Sequence, residues 1–555
     1  MFSRAWASGW EFCARQQARR PLRSVLVAYG FANALLYCAL LPLWEGFDEP
    51  FHYGYIQELA NGGELPVLGK ATLSEEIWSS LLLTPVSHVV RSNIPALMTY
   101  DEYFALGRDR RALMRAQLDH LPASLRFVKL ESQPNYEAHE APLAYLFLAG
   151  FDRFWSASPL VTRVWRLRVV AAWLSVLWTW LAVLYLARQL RLEETTRWVL
   201  LFLVFSTQMF YATVCHVAND WLSVPLSVAL IALCVRFYKE PNMATTILLA
   251  LVLGLGLLAK SYFLAFAPVV CGLAAWRLVR GRQSVEFATF VLILLAAAGP
   301  SYGRNLRLYH SLSGMQETAG GLGPPTVIAA ATAVPWMNTV AFMARGSLWT
   351  ANNSFSTFSR STLNIMIVLI ALGIAALLGT WRRENRPGIL AVLAMVFTYG
   401  GALIYAAAQS FVFTKGESMG ASPWYAQPLL APVLCLALLG AQSLGRAGRW
   451  LKAAMIAVWT YVQSAGYGVK LIPLYGGFSG GRSNPGPIWQ WYRLAWADSF
   501  SRLGNVTLLA PGFVLALALT VTLLTVSLGV WLCRQTIAGD GFSRLRQSST
   551  PDCEL

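Results

Sequence analysis

Twelve stretches of this 555-residue chain are apolar enough, and close enough to 20 residues long, to cross a bilayer as helices. They lie near 24–44, 169–187, 198–214, 220–235, 243–259, 261–276, 287–303, 362–380, 388–408, 425–444, 453–469 and 509–533. Only 13% of residues are charged, about half the roughly 25% of a soluble protein. That shortage excludes an ordinary water-facing surface, a disordered chain and a fibrous one. The 22 Trp and 21 Tyr suit long membrane–water interfaces, where amphipathic rings collect. A net charge of +16 would point to nucleic acid in a soluble domain, but the placement of the charges explains it otherwise. The expected fold is an all-α polytopic membrane protein of about 12 transmembrane helices, with membrane lipids and no nucleic acid as partners.

The basic residues alternate in step with the apolar stretches. Arg4, Arg15, Arg19, Arg20 and Arg23 place the N-terminus in the cytoplasm. The inner turns that follow hold Arg188, Arg191 and Arg197; Arg236 and Lys239; Arg277, Arg280 and Arg282; Arg382, Arg383 and Arg386; Arg446, Arg449 and Lys452. Arg534, Arg544 and Arg546 place the C-terminus on the same side. The chain thus divides into a basic N-terminus 1–23, a membrane module 24–303 with a large outer loop 45–168, an outer loop 304–361, C-terminal helices 362–533 and a cytoplasmic tail 534–555. Within the C-terminal helices, 409–424 and 470–508 face outward. Loop 45–168 carries 15 of the 28 acidic residues, and all six histidines fall on the outer side. Polar chemistry is therefore expected on the extracytoplasmic face.

The first apolar run is too long for a signal peptide and lacks a small-residue cleavage site, so it reads as a retained span. None of the eight Cys lies in a large outer loop and no Cys-x-x-Cys spacing occurs, so no disulfide framework is implied. No span carries Asp, Glu, Lys or Arg at its centre, which weighs against an ion-coupled transporter.

Chemistry-bearing residues gather where spans meet outer loops. After the first span, Asp48-Glu49-Pro50-Phe51-His52-Tyr53 opens a helix: Pro50 suits its first turn, Asp48 or Glu49 can cap it, and Asn61-Gly62-Gly63 stops it near Ala60. Phe51, Tyr55 and Leu59 form one apolar face, so the helix is expected along the membrane surface. Capping explains one carboxylate but leaves the second, the His and two Tyr unexplained. Asn135-Tyr136-Glu137-Ala138-His139-Glu140-Ala141-Pro142 leads into an amphipathic stretch 143–155, followed by Arg163, Arg166 and Arg168. A short outer turn holds His216, Asn219 and Asp220; Lys260 sits between two spans; Arg304 and Arg307 follow the seventh; Lys415 and Glu417 lie further on. Carboxylates (Asp48, Glu49, Glu140, Asp220) and cations (Lys260, Arg304, Arg307) thus share one rim. That pairing suits a base for an incoming nucleophile and positive charge for a departing phosphate.

These residues resemble the GT-C superfamily of membrane glycosyltransferases, which includes protein O-mannosyltransferases, aminoarabinose transferases and oligosaccharyltransferases. The resemblance covers the layout of residues 24–310. Phe47-Asp48-Glu49-Pro50-Phe51-His52 is similar to the acidic motif after the family's first span. His139-Glu140-Ala141-Pro142-Leu143-Ala144-Tyr145 is similar to its Pro-Pro-Leu-x-Tyr helix start, with Ala for the first Pro. Asn219-Asp220 resembles the second acidic position, and Trp424-Tyr425-Ala426-Gln427-Pro428 a Tyr-x-x-Pro span start. Arg304-Asn305 with Tyr309 resembles a later element, but His310 and Ser311 replace its Gly-Asp.

The resemblance implies an inverting glycosyltransferase that moves a sugar from a polyprenyl-phosphate donor to an acceptor hydroxyl of a glycan, lipid or protein. It also implies a cell-envelope location, which the compact loops place in a bacterial inner membrane. Nucleotide sugars are held in the cytoplasm, so an outward-facing transferase needs such a lipid-linked donor. Asp48 is the expected base, with Glu49 beside it. His52, His139, Glu140 and Asp220 would orient substrate, and Lys260, Arg304 and Arg307 would bind the donor phosphate. Whether a divalent metal (Mn, Mg or Zn) takes part stays open, with His52, His139, His216 and Asp220 as candidate ligands and no His-x-x-x-His spacing to fix them. A lipid or glycan transporter (a flippase) and a non-catalytic assembly subunit are the alternatives. The aromatic segment around Trp489, Trp491, Tyr492 and Trp496 reads as interfacial anchoring ahead of an acceptor cover.

Overall fold

A computed structural model describes residues 24–315, 324–379, 386–416, 421–478, 485–494 and 496–538. Arg4, Arg15, Arg19, Arg20, Arg23, Arg382, Arg383, Glu417, Arg544 and Arg546 lie outside the described residues, as does most of the expected tail 534–555.

Each of the twelve apolar stretches is largely helical. Among the described residues, seven helices are long and apolar enough to cross a membrane: Leu160–Gln189, Asp220–Lys239, Ser284–Tyr309, Arg360–Gly379, Arg386–Phe413, Pro423–Ser443 and Pro511–Ala538. They mark an integral membrane protein. The stretch 198–214 is broken: Glu194–Phe205 and Gln208–Val214 meet at 59°. Ser206 and Thr207 make the break, and the Thr207 hydroxyl both donates to the Leu203 carbonyl and accepts from the Trp459 indole. Ser24–Leu40 and Met243–Ala259 are apolar but shorter. The stretch 261–276 is a 3-10 turn, Ser261–Ala265, joined to the 14-residue helix Ala267–Arg280. The stretch 453–469 belongs to Gly445–Ala465, which runs on into a π-helical turn, Gly466–Leu471. One apolar pair was not expected: Pro324–Ala333 and Trp336–Gly346, bent by 100°, fall within 304–361.

Segment 45–168 folds as a cap of short helices with two small sheets. Thr72–Ser74 pairs antiparallel with Lys129–Pro134, and Pro85–Val86 pairs parallel with Met98–Thr99. A buried charge network ties the cap to the bundle. Arg163 of Leu160–Gln189 meets Glu76 at 2.5 Å and Asp152 at 3.3 Å, and Arg126 meets the other Asp152 oxygen at 3.3 Å. Tyr53 donates to Asp152 at 3.0 Å. Two acids thus balance two arginines, which a buried network requires to offset the loss of hydration.

Helix Glu49–Ala60 stands at the centre of this cap, and ten of its twelve residues are buried. The expectation that it lies along the membrane surface is overturned. Its supposed polar side is covered by the sheet strand at 72–74 and by Asn135, whose amide donates to the Phe51 carbonyl at 3.0 Å. Gly54 leaves room for that cover, because a Cβ there would press on Leu73.

Candidate active site

The site assembles where helix starts and breaks of four segments meet: 47–52, 135–145, 216–220 and 259–262. Asp48 occupies the N-cap position of Glu49–Ala60, but its backbone is left-handed (φ 53°) and its carboxylate makes no capping bond. It accepts instead from the Tyr136 hydroxyl at 2.6 Å. A cap that does not cap leaves this carboxylate for other work. Burial pushes the Asp48 carboxyl above its usual range; the Tyr136 hydroxyl and then Lys260 pull it down, and Asp220 pushes it up.

Asp220 begins Asp220–Lys239, and Lys260 is an extended residue that ends Met243–Ala259. Their side chains meet at 2.7 Å and both are buried. Burial works against the Lys260 charge, but Asp220, Glu140 and Glu137 outweigh it and hold the ammonium above its usual pKa. Lys260 also lies over the Tyr425 ring, 5.4 Å from its centre, and over Tyr262 at 5.6 Å. The second Asp220 oxygen is buried with no protein partner. The Asn219 side chain donates to Glu140 at 2.9 Å while its amide oxygen Oδ1 is buried and unpartnered.

The three histidines converge here too. The His52 ring is 2.7 Å from the Tyr145 hydroxyl and 3.6 Å from Glu137. Burial, then Lys260, His216 and His139, push its pKa well below the usual value, so the ring is neutral. His139 Nδ1 donates to the Tyr136 carbonyl at 2.7 Å, and its other nitrogen is 4.0 Å from Glu140. His216 Nδ1 donates to the Ala212 carbonyl at 2.9 Å, leaving Nε2 buried as a bare acceptor.

Glu49 has a different setting. It is turned from Asp48 into Arg168, whose Nε donates to it at 2.7 Å, and it accepts from the Val217 amide at 2.9 Å. Arg304 donates to the Leu65 and Pro66 carbonyls at 3.1 and 2.7 Å and lies close enough to Tyr55 to lower its raised pKa. Arg307 is exposed. Lys415 is exposed just past the end of Arg386–Phe413.

The sequence motifs contain Tyr136, Glu137, Tyr145 and Tyr425 but give none of them a role in the site. Glu137 is buried, and burial, then Glu140, Asp48 and Asp220, drive its carboxyl well above the usual range. It sits in a 3-10 turn, Tyr136–His139, whose N-cap Asn135 accepts from the Glu137 amide at 3.0 Å, so an Asn capping signal two residues ahead marks it in the sequence. Among the described residues no three His, Cys, Asp or Glu side chains come together closely enough to hold a metal ion.

The sequence matches no protein-family model and no curated protein. Among solved structures the chain is similar to ArnT from Cupriavidus metallidurans bound to undecaprenyl phosphate, at 12% identity and a TM-score of 0.46, covering 96% of this chain and 81% of that one. It is similar to the apo oligosaccharyltransferase of Archaeoglobus fulgidus at 12% identity and a TM-score of 0.39, covering 87% and 56%. A third is AglB from the same archaeon with an inhibitory peptide and a dolichol-phosphate, at 12% identity and a TM-score of 0.32, covering 96% and 59%.

Proposed function

We propose that this chain is an inverting glycosyltransferase that moves a sugar from a polyprenyl-phosphate donor to an acceptor hydroxyl on the extracytoplasmic side of the membrane. The observation that carries the reading is Asp48: a half-buried carboxylate at a helix start, held by Tyr136 instead of by the helix, beside the Asp220–Lys260 pair. In the reaction the Asp48 carboxylate takes the proton of the acceptor hydroxyl. The acceptor oxygen bonds to the anomeric carbon as the bond to the phosphate oxygen breaks, and polyprenyl phosphate leaves as the anion. A carboxylate near its ordinary pKa of about 4 is a weak base, so its upward displacement by burial favours the step.

The other groups take supporting parts. Glu140, with Asn219, and the unpartnered Asp220 oxygen offer acceptors to sugar hydroxyls. Lys260 is largely committed to Asp220, so it offsets charge within the site. Arg304, bonded only to neutral carbonyls, keeps its charge available to a departing phosphate. Glu49 acts by position, fixing the turn on which Asp48 sits. The basic alternation along the sequence supports cytoplasmic termini and twelve crossings.

Mass spectrometry of lipid-linked sugars in a strain lacking this chain tests the reading. A polyprenyl-phosphate sugar should accumulate, and the purified protein should consume that lipid with release of polyprenyl phosphate. Accumulation without consumption by the purified protein favours the flippase alternative, and no accumulation overturns both.

A further inference from the structure

Glu45 is buried three residues before Asp48 and takes no part in the chemistry above. Both its carboxylate oxygens are used by distant segments. One accepts from the Ser354 amide at 2.8 Å and its hydroxyl at 2.5 Å, and the other accepts from the Tyr100 hydroxyl at 3.1 Å. The backbone joins in: the Asn353 amide donates to the Glu45 carbonyl at 3.3 Å, and the Asn353 side chain to the Gly46 carbonyl at 2.9 Å. The turn so held is a tight one, closed by an antiparallel bridge between Ala351 and Ser356. Asn352 and Phe355 both have a φ of 45°, which non-glycine residues adopt only when their surroundings impose it.

This turn backs the wall of the site. Phe355 lies 6.3 Å from Phe47, and Phe47 stacks on Trp424 with ring centres 3.8 Å apart. Trp424 packs at 5.6 Å on Tyr425, the ring under Lys260. We propose that Glu45 is a positioning residue that clamps the 351–356 turn and, through Phe47 and Trp424, sets Tyr425 and Lys260 beside Asp48. Its effect on catalysis rests on the glycosyltransferase reading; the clamp itself does not.

The groups facing Glu45 are Tyr100, Tyr475, Tyr37 and Arg168, and Arg168 is already paired with Glu49. Burial raises the Glu45 carboxyl to about 8, against the bonds from Ser354 and Tyr100 and the pull of Arg168. A raised carboxyl pKa means the closed clamp prefers the neutral acid. Stability from it is complete below about 4.5, where the open state also binds the proton, and is lost as pH rises towards 8.

Hydrogen exchange of the 350–356 amides in the full chain in lipid nanodiscs tests the clamp, each variant compared with wild type at the same pH. In wild type the turn's protection should fall between pH 5 and 8 and level off above. Glu45→Gln, which still accepts from Ser354 and can donate to Tyr100, should keep protection but lose its pH dependence. Glu45→Ala should exchange at least tenfold faster at all pH and lower kcat of transfer more than it raises KM. Ser354→Ala, which removes a single bond, gives an intermediate readout should Glu45→Ala not fold. Wild-type protection in both Glu45→Ala and Ser354→Ala overturns the clamp. A loosened turn in a chain with no transferase activity upholds the clamp and overturns the catalytic reading instead.

Discussion

Arg168 reaches from the helix Leu160–Gln189 to hold Glu49 through both Nε and Nη2, with neither side chain exposed to solvent. The same guanidinium donates to the Leu41 and Pro42 carbonyls at 2.6 and 2.9 Å, so it ties the end of the first helix to the start of the second. Removing one partner leaves a buried charge uncompensated, a loss of about 3–5 kcal/mol. Arg168→Ala and Glu49→Gln should both lower the apparent Tm and the yield of folded protein. If Glu49→Gln instead folded as wild type and lost only transfer, Glu49 would belong with the reacting groups.

Asp48→Asn separates the base from its scaffold. Asn tolerates the left-handed backbone that Asp48 adopts and can still accept from Tyr136, whereas Ala would lose both features. Transfer should fall by about 10²–10⁴-fold, the usual worth of a general base. The Tm and donor binding should stay close to wild type. Full activity in this variant would end the base assignment.

The pH profile should carry the signature of that base. Asp48 must be ionised to act, so kcat/KM should fall as pH drops through its raised pKa, above the ordinary value of about 4. Tyr136 and Lys260 both lower that pKa. Tyr136→Phe and Lys260→Met should therefore each move the acid limb to higher pH, in addition to any loss of rate. A limb that stays put in both variants would mean another group controls it.

His52 makes an opposite contribution to stability. Its folded pKa lies well below the usual 6.5, so the folded chain resists a proton that the unfolded chain accepts. Stability from this residue is complete above about pH 6.5 and is lost as pH falls below it. Asp48 and Glu137, with raised values, work the other way. The test is consequently a difference: between pH 7 and pH 5, His52→Gln should lose less Tm than wild type. An equal or larger loss would show that His52 is not held neutral.

Sequence motifs brought out much of this site because helix starts are written locally. Pro50, the Asn61-Gly62-Gly63 stop and Asp220 each mark a boundary, and the structure places the carboxylates and histidines beside those boundaries together. What could not be read locally is which partner each charge finds. Nothing near Asp48 and Glu49 in the chain says that one faces Tyr136 and the other Arg168, 119 positions away from Glu49. Glu137 is buried through a partner far along the chain, His52 on helix Glu49–Ala60, which lies 3.6 Å away. Helix 49–60 was misplaced for the same reason: its apolar stripe is evident, but the segments that cover its polar side come from residues 72–77 and 135. The 100° bend at 324–346 was missed because each arm is too short to show as a span.

Arg304 and Arg307 share a helix end but not an environment, and that difference is itself a test. Arg304 is held at the Leu65 and Pro66 carbonyls within electrostatic reach of Tyr55, whose hydroxyl donates to the Glu140 carbonyl at 3.3 Å. Arg307 is exposed. If Arg304 meets the departing phosphate, its charge matters most as the bond breaks, and losing such a group typically costs about 10²–10³-fold in kcat. Arg304→Gln should show that loss, with Arg304→Lys recovering part of it as a point charge without the planar fork. Arg307→Gln should stay within a few-fold of wild type, since an exposed cation is screened by water and salt. A uniform rise in donor KM in Arg304→Gln, with kcat unchanged, would assign it to ground-state binding of the lipid instead. Equal losses in Arg304→Gln and Arg307→Gln would place the phosphate outside the buried rim altogether.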